Sequence, residues 1–169
     1  EAACAKIGAN ALLARVGGYY HDIGKIDNPE FFTENQNSNE NIHTSINPSL
    51  SVTIIKNHVR KGVEMARELR LPARVVDIIA EHHGNSVLKF FYMNAQKDDP
   101  NVNPGDYSYS GTPPTTRESG VVMLADTVEA ACKSLDKPSA SRIEKFIQTL
   151  VHGKIEEGQL NNCDLTANN

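Results

Sequence analysis

Six histidines occur in 169 residues, and their placement says more than their number. His21 and Asp22 are adjacent in His21-Asp22-Ile23-Gly24-Lys25, and His82 and His83 are adjacent just before Gly84. His58 falls on the apolar stripe of a helical stretch, and Asp126 follows the apolar run Val121-Val122-Met123-Leu124-Ala125. A carboxylate turned into an apolar interior is costly unless something partners it. Imidazole and carboxylate together are the ligand set of iron, manganese, zinc and similar divalent ions. Helical domains build such sites by letting several helices each turn one His or acid inward. Adjacent residues on a helix point about 100° apart, so a His-Asp doublet can serve one ion and reach toward a second. Each residue also has an ordinary reading: His58 as a satisfied core histidine, Asp126 as the partner of a buried arginine. Their common placement at helix ends and inward faces favours one shared site.

Positioning these residues takes helices. Ala3, Ile7, Ala11, Leu12 and Val16 recur at helical spacing and predict an uninterrupted helix over 1–20, with Gly24 as a helix stop just beyond it. Residues 27–47 turn polar and predict a long loop with one short helical turn, a length usually tied to function. Asn47-Pro48 then starts a helix with the stripe Leu50, Ile54, Ile55, Val59, Val63, Ala66 and Leu69. Pro72 opens another, carrying Val75, Val76, Ile78 and Ile79 and closing at His82-His83-Gly84. Ser86 reads as the cap of a short aromatic helix over 87–97, before a second loop over 98–114. Thr115 and Glu118 fit a capping box for an apolar helix reaching about Leu135. A last amphipathic helix follows Pro138 and ends near Gly158. No stretch alternates strictly, so the expected class is all-α: a helical bundle with two long functional loops.

Composition narrows the partners. Apolar residues at 39% and charged residues at 22% exclude a disordered chain, and the length suits one domain. The longest strictly apolar run, Val121 to Ala125, is far short of the roughly twenty residues that span a bilayer. No basic leader with an apolar stretch is visible. A net charge of −4 argues against a DNA or RNA polymer or an acidic membrane as partner. Cys4, Cys132 and Cys163 lack any metal or redox spacing and read as reduced thiols. Glu1 falls inside a helical pattern, so the expectation is a single domain over 1–169, cut from a longer protein within its first helix.

The series His21-Asp22-Ile23-Gly24-Lys25, His58, His82-His83-Gly84 and Leu124-Ala125-Asp126 resembles the HD-domain metal-dependent phosphohydrolases. Further stretches look like one group within them, the cytoplasmic HD domains of seven-transmembrane-helix HD proteins, or PgpH-type cyclic di-AMP phosphodiesterases. They are Ile7-Gly8-Ala9-Asn10, Asn28-Pro29-Glu30-Phe31-Phe32 with Glu34-Asn35-Gln36, Phe90-Phe91-Tyr92, Met123-Leu124-Ala125-Asp126-Thr127-Val128-Glu129-Ala130-Ala131 and Gly158-Gln159-Leu160. The resemblance covers essentially the whole chain.

It implies that His21, Asp22, His58, His82, His83 and Asp126 ligate two divalent transition-metal ions, iron or manganese foremost, with Asp22 bridging them. It implies a hydroxide between the ions that opens a cyclic dinucleotide, cyclic di-AMP, to linear pApA, with Lys25 stabilising charge on the phosphoryl oxygens. Asp22 and Lys25 are thus the expected catalytic residues. Tyr109 and Arg117 are expected, from loop position, to contact a nucleobase or the second phosphate. The implied setting is the cytoplasmic side of a bacterial inner-membrane parent, with no membrane contact by this chain itself. The family also carries a His upstream of the doublet, and the matching position lies before Glu1. The ion on His21, Asp22 and Asp126 is therefore expected to be depleted and activity reduced. His43, in Asn41-Ile42-His43-Thr44, is expected to shape its loop, and His152 to lie on the surface. Two other readings stay open: an HD-type nucleotidase or pyrophosphohydrolase acting on mononucleotides, and an HD module that binds a nucleotide without turnover.

Overall fold

The computed structural model describes residues 1–36, 43, 46–133, 135 and 138–165. Among them seven α-helices follow in order: α1 (Ala2–Lys6), α2 (Ala11–Tyr20), α3 (Pro48–Glu68), α4 (Ala73–Glu81), α5 (Lys89–Asp98), α6 (Arg117–Cys132) and α7 (Ala140–Glu156). Short 3-10 turns at Ile23–Asp27, Pro29–Phe31, Thr33–Asn35 and Pro104–Tyr107 shape the connections. One isolated antiparallel bridge, Val87 with Ser108, joins the second long loop to the segment after α4. The expected all-α class is what the chain forms.

The expected first helix is two. Gly8 takes φ +72, a left-handed conformation that no helix continues through, and the Asn10 side chain caps α2 by accepting the Leu13 N–H. Both helices share the same apolar spacing, so periodicity does not reveal the break between them. Other boundaries shift for local reasons. Ser86 does not cap α5; its hydroxyl accepts from Lys154 Nζ at 2.7 Å. The cap of α6 is Thr116, whose Oγ1 accepts the Ser119 N–H, while Glu118 reaches across to the Asn10 N–H. The helix ends at Cys132, short of Leu135. The start of α3 at Asn47-Pro48, the turn at Gly84 (φ +53) and the turn at Gly158 (φ +70) stand where the sequence puts them. In the first long loop Asn35 donates to the Pro29 carbonyl and Gln36 to the Glu30 carbonyl. Asn41, Ile42 and Thr44 lie outside the described residues.

One core decides the geometry of the site. Ala66 of α3 and Val75, Val76 and Ile79 of α4 are buried together, with Leu13, Val16 and Tyr20 of α2 and Val63 of α3 packed on them. Each such aliphatic burial stabilises by about 1.5–3 kcal/mol, so these three helices are fixed against one another. A second cluster, Met123 with Leu160 and Cys163, ties α6 to the chain after α7. Cys4 and Cys163 are buried free thiols and act there as small apolar side chains. Among the described residues no helix is long and apolar enough to cross a membrane.

Candidate metal centre

The helix ends and one close backbone crossing bring the expected ligands together. His21 is the C-cap of α2 and Asp22 opens the following 3-10 turn; His82 is the C-cap of α4 and His83 follows it. His58 lies mid-way along α3 and Asp126 on α6. The turn after Asp22 lies directly on α3 at Gly24. A Cβ there would overlap the His58 carbonyl oxygen and the Gly62 nitrogen. Gly24 is therefore no helix stop; it lets two backbones meet, which places Asp22 beside His58.

Two groups of ligand atoms result, each within 4.8 Å: Asp22, His58, His82 and His83 in one, His21, Asp22 and Asp126 in the other. Asp22 belongs to both, and its two oxygens divide the work. Oδ1 stands 3.4 Å from His58 Nε2 and 3.6 Å from His82 Nε2, whereas Oδ2 stands 3.2 Å from His21 Nε2. Asp126 is also more central than its sequence context suggests, with Oδ1 3.6 Å from His21 Nε2 and Oδ2 3.6 Å from His83 Nδ1.

The hydrogen bonds behind these atoms say what they can accept. His21, His58 and His82 each turn Nδ1 to the carbonyl three residues earlier: Gly18 at 2.8 Å, Ile55 at 2.5 Å and Ile79 at 2.7 Å. A ring that donates from Nδ1 presents a lone pair at Nε2, the arrangement usual for metal-bound histidine. His58 Nε2 and His82 Nε2 then face each other at 3.2 Å as two acceptors, which repel unless a cation lies between them. His21 Nε2 and Asp22 Oδ1 are buried with no hydrogen-bond partner. Ligands at about 2.1 Å from one ion sit about 3.0–3.4 Å apart, close to the separations seen here. The donor set fits two divalent ions sharing Asp22.

Charge is arranged to match. Burial opposes the Asp22 carboxylate, but the neighbouring His21 and His82 overcome this and hold its pKa far below the usual range. Burial likewise opposes the His21 cation, yet Asp126 and Asp22 raise its pKa to about 10. Burial, reinforced by His82, lowers His58 to about 4; burial and the neighbouring His82 and His58 also lower His83. Lys25 lies inside the site: Nζ is 2.6 Å from Asp22 Oδ2 and 2.5 Å from Glu34 Oε1, above the Phe32 ring. Sequence reasoning missed Glu34. Its only signal is an acid in a family-like stretch of the first long loop. A cavity of about 920 Å³ opens beside His21, Asp22, Lys25 and Asp126.

The two expected substrate contacts have the following surroundings. Tyr109 is 9% exposed, and one ring face stacks on His83 at 4.3 Å, so it props the ligand ring and that face is closed to a base. Arg117 donates toward the Ile7 carbonyl at 3.5 Å and sits nine residues before Asp126, about 13 Å along α6. Loop position alone could not show either fact. His43 shapes its loop as expected, bonding the Phe31 carbonyl at 2.7 Å and packing edge-on to Phe91. His152 is exposed.

The family model of the HD domain matches residues 1–131. The chain is 43% identical to the cyclic-di-AMP phosphodiesterase PgpH of Bacillus subtilis (strain 168) and 41% identical to that of Listeria monocytogenes serotype 1/2a (strain 10403S). Each match runs over 166 residues and covers 98% of this chain and 23% of the relative. The chain thus spans less than a quarter of the length of these curated relatives. The crystal structure of the L. monocytogenes phosphodiesterase PgpH HD domain in complex with cyclic-di-AMP superposes with a TM-score of 0.94 at 40% identity, covering 98% of this chain and 77% of that one. With the family model matched over residues 1–131 and the doublets, the lone histidine and the acid of α6 gathered in one cluster, this chain belongs to the HD-domain family.

Proposed function

We propose that this chain is the catalytic domain of a phosphodiesterase that opens cyclic di-AMP to linear pApA with two divalent ions, iron or manganese, at the His-Asp cluster. The observation that carries the reading is the Asp22 carboxylate, one oxygen toward His58 and His82 and the other toward His21. The names of its relatives supply the substrate class. Ions held there neutralise a phosphodiester's charge and lower the pKa of a water that attacks it. His21, Asp22 and Asp126 hold one ion; Asp22, His58, His82 and His83 hold the other. The backbone carbonyls behind His21, His58 and His82 hold Nδ1 of each ring and so aim Nε2 at the cluster. Lys25, kept in place by Glu34, brings an ammonium to the side of the cluster that faces the cavity, where a phosphoryl oxygen develops charge. The domain belongs, on this reading, to a membrane-anchored parent and works on its cytoplasmic side.

The test is hydrolysis of cyclic di-AMP by the Mn²⁺-loaded chain, with mononucleotides as competing substrates, beside Asp22→Ala. Linear dinucleotide should appear, and Asp22→Ala should abolish turnover while circular dichroism stays helical. A variant retaining more than a tenth of the rate, or faster hydrolysis of mononucleotides by the unaltered chain, would count against the proposal.

A further inference from the structure

Glu81 is the last residue of α4 and the neighbour of His82. It is only 7% exposed, and a buried carboxylate is costly unless its oxygens are hydrogen-bonded. Both are. Oε2 accepts the Thr115 backbone N–H at 3.0 Å and Oε1 accepts the Thr115 hydroxyl at 2.6 Å. Glu81 is in neither ligand group, so its charge serves the segment it grips.

That segment lies flat on the end of α4. A Cβ at Gly111 would stand 2.8 Å from the Gly84 carbonyl oxygen and 2.9 Å from that of Ala80, and one at Gly84 would stand 3.2 Å from Pro113 Cα. Pro114 is fully buried. The residue after Thr115 caps α6, and α6 supplies a single ligand, Asp126, which faces His21 and His83 at 3.6 Å each. The deep core that locks α2, α3 and α4 together does not include α6.

The geometry points to Glu81 as a positioning residue that, through Thr115, sets α6 against the end of α4 and so holds Asp126 in register with His21 and His83. The inference rests on the two-ion reading. It predicts an uneven effect: loosening the grip displaces Asp126 and spares the group made by Asp22 and the histidines of α3 and α4.

Mn²⁺ binding by the full chain tests this without any substrate. Asp126→Asn identifies the Mn²⁺ site that depends on α6. Thr115→Val keeps the side chain's shape but leaves Glu81 Oε1 buried and unpaired. It should weaken that site about 10–100-fold, as removal of ligand-orienting groups commonly does, and leave the other site unchanged. Thr115→Ser should restore it, and both variants should keep a helical circular-dichroism spectrum. On cyclic di-AMP, kcat should follow the affinity of that site while KM stays. Equal weakening of both sites, wild-type binding by Thr115→Val, failure of serine to restore, or a titration indifferent to Asp126→Asn would each overturn the role. Two Mn²⁺ sites with no hydrolysis would sink the substrate reading and still leave Glu81 decided by the affinities.

Discussion

Gly24 gives the sharpest quantitative test of how the centre is built. In Gly24→Ala the new carbon would overlap the His58 carbonyl oxygen and the Gly62 nitrogen and stand 2.9 Å from the His58 carbonyl carbon. Carbon atoms settle at about 3.5–4.0 Å, so the turn must retreat from α3 by roughly 1 Å. Every obstructing atom is backbone, so no side-chain rotation relieves the clash. Overpacking of this kind costs about 1–3 kcal/mol, which at this length lowers the melting temperature by about 3–10 °C. The retreat carries Asp22 from His58 and His82, now 3.4 and 3.6 Å from its Oδ1. A misplacement of about 1 Å costs about a hundredfold in rate. Gly17→Ala is the control, because its new carbon meets side-chain atoms and no backbone, those of Ile78, at 2.6 Å from Cδ1 and 2.8 Å from Cγ2. Calorimetry should show both variants destabilised. Mn²⁺ titration and cyclic di-AMP turnover should fail in Gly24→Ala alone, with affinity lost at both sites because Asp22 serves both. Equal Mn²⁺ affinities in the two variants would refute the argument that the glycine exists to set Asp22 against α3.

Three further outcomes follow from the charges. His21, raised to about 10, must lose a proton to bind, so Mn²⁺ affinity at the Asp126-containing site should rise about tenfold from pH 6.5 to 7.5, while the site of the already neutral His58 stays nearly constant; a titration at the two pH values decides it. In the metal-free chain His58, lowered to about 4 against an unfolded value near 6.5, contributes stability that is present above pH 6.5 and lost as pH falls toward 4, up to roughly 3 kcal/mol; His21 acts oppositely, its contribution present below pH 6.5 and lost as pH rises toward 10, so denaturant melts should be weakest at both extremes. Lys25→Ala should lower kcat on cyclic di-AMP by about a hundredfold with Mn²⁺ content unchanged, whereas lost metal would make Lys25 a structural counter-ion.

The residues of the His-Asp cluster were legible because they break a pattern. A histidine on the apolar stripe of α3 and an aspartate closing an apolar run on α6 are local anomalies, and the doublets sit where helices end. What stayed hidden acts across space. Gly24 looks like a stop, but its reason for being glycine is thirty-odd residues away on α3. Glu34 and Glu81 are ordinary acids in sequence and matter through Lys25 and Thr115. Thr115 fits a capping box by spacing, yet its hydroxyl goes to Glu81 and the next threonine does the capping. Tyr109 and Arg117 were assigned from loop position, and loop position does not fix which way a ring or a guanidinium turns.

The two halves of the centre are unequal, and the inequality follows from which helices build them. His58 and His82 are 2% and 0% exposed, on helices that share one aliphatic core and are held by carbonyls of their own turns. His21, Asp22 and Asp126 line the cavity, beside Lys25, and one of them comes from α6, which lies outside that core and is joined to the end of α4 by a buried carboxylate and its threonine. On the proposed function a phosphate entering from that cavity would meet this group first, since His58, His82 and His83 do not line it. His58 and His82 are thus the better shielded members of the cluster, and His21, Asp22 and Asp126 open on the cavity. Asp22 couples them because its two oxygens face opposite ways: any displacement of the carboxylate that improves one set of contacts lengthens the other. That shared constraint is why the turn after Asp22 is pinned on α3 by a glycine instead of being left to pack through side chains, which could give by a few tenths of an ångström where backbone cannot.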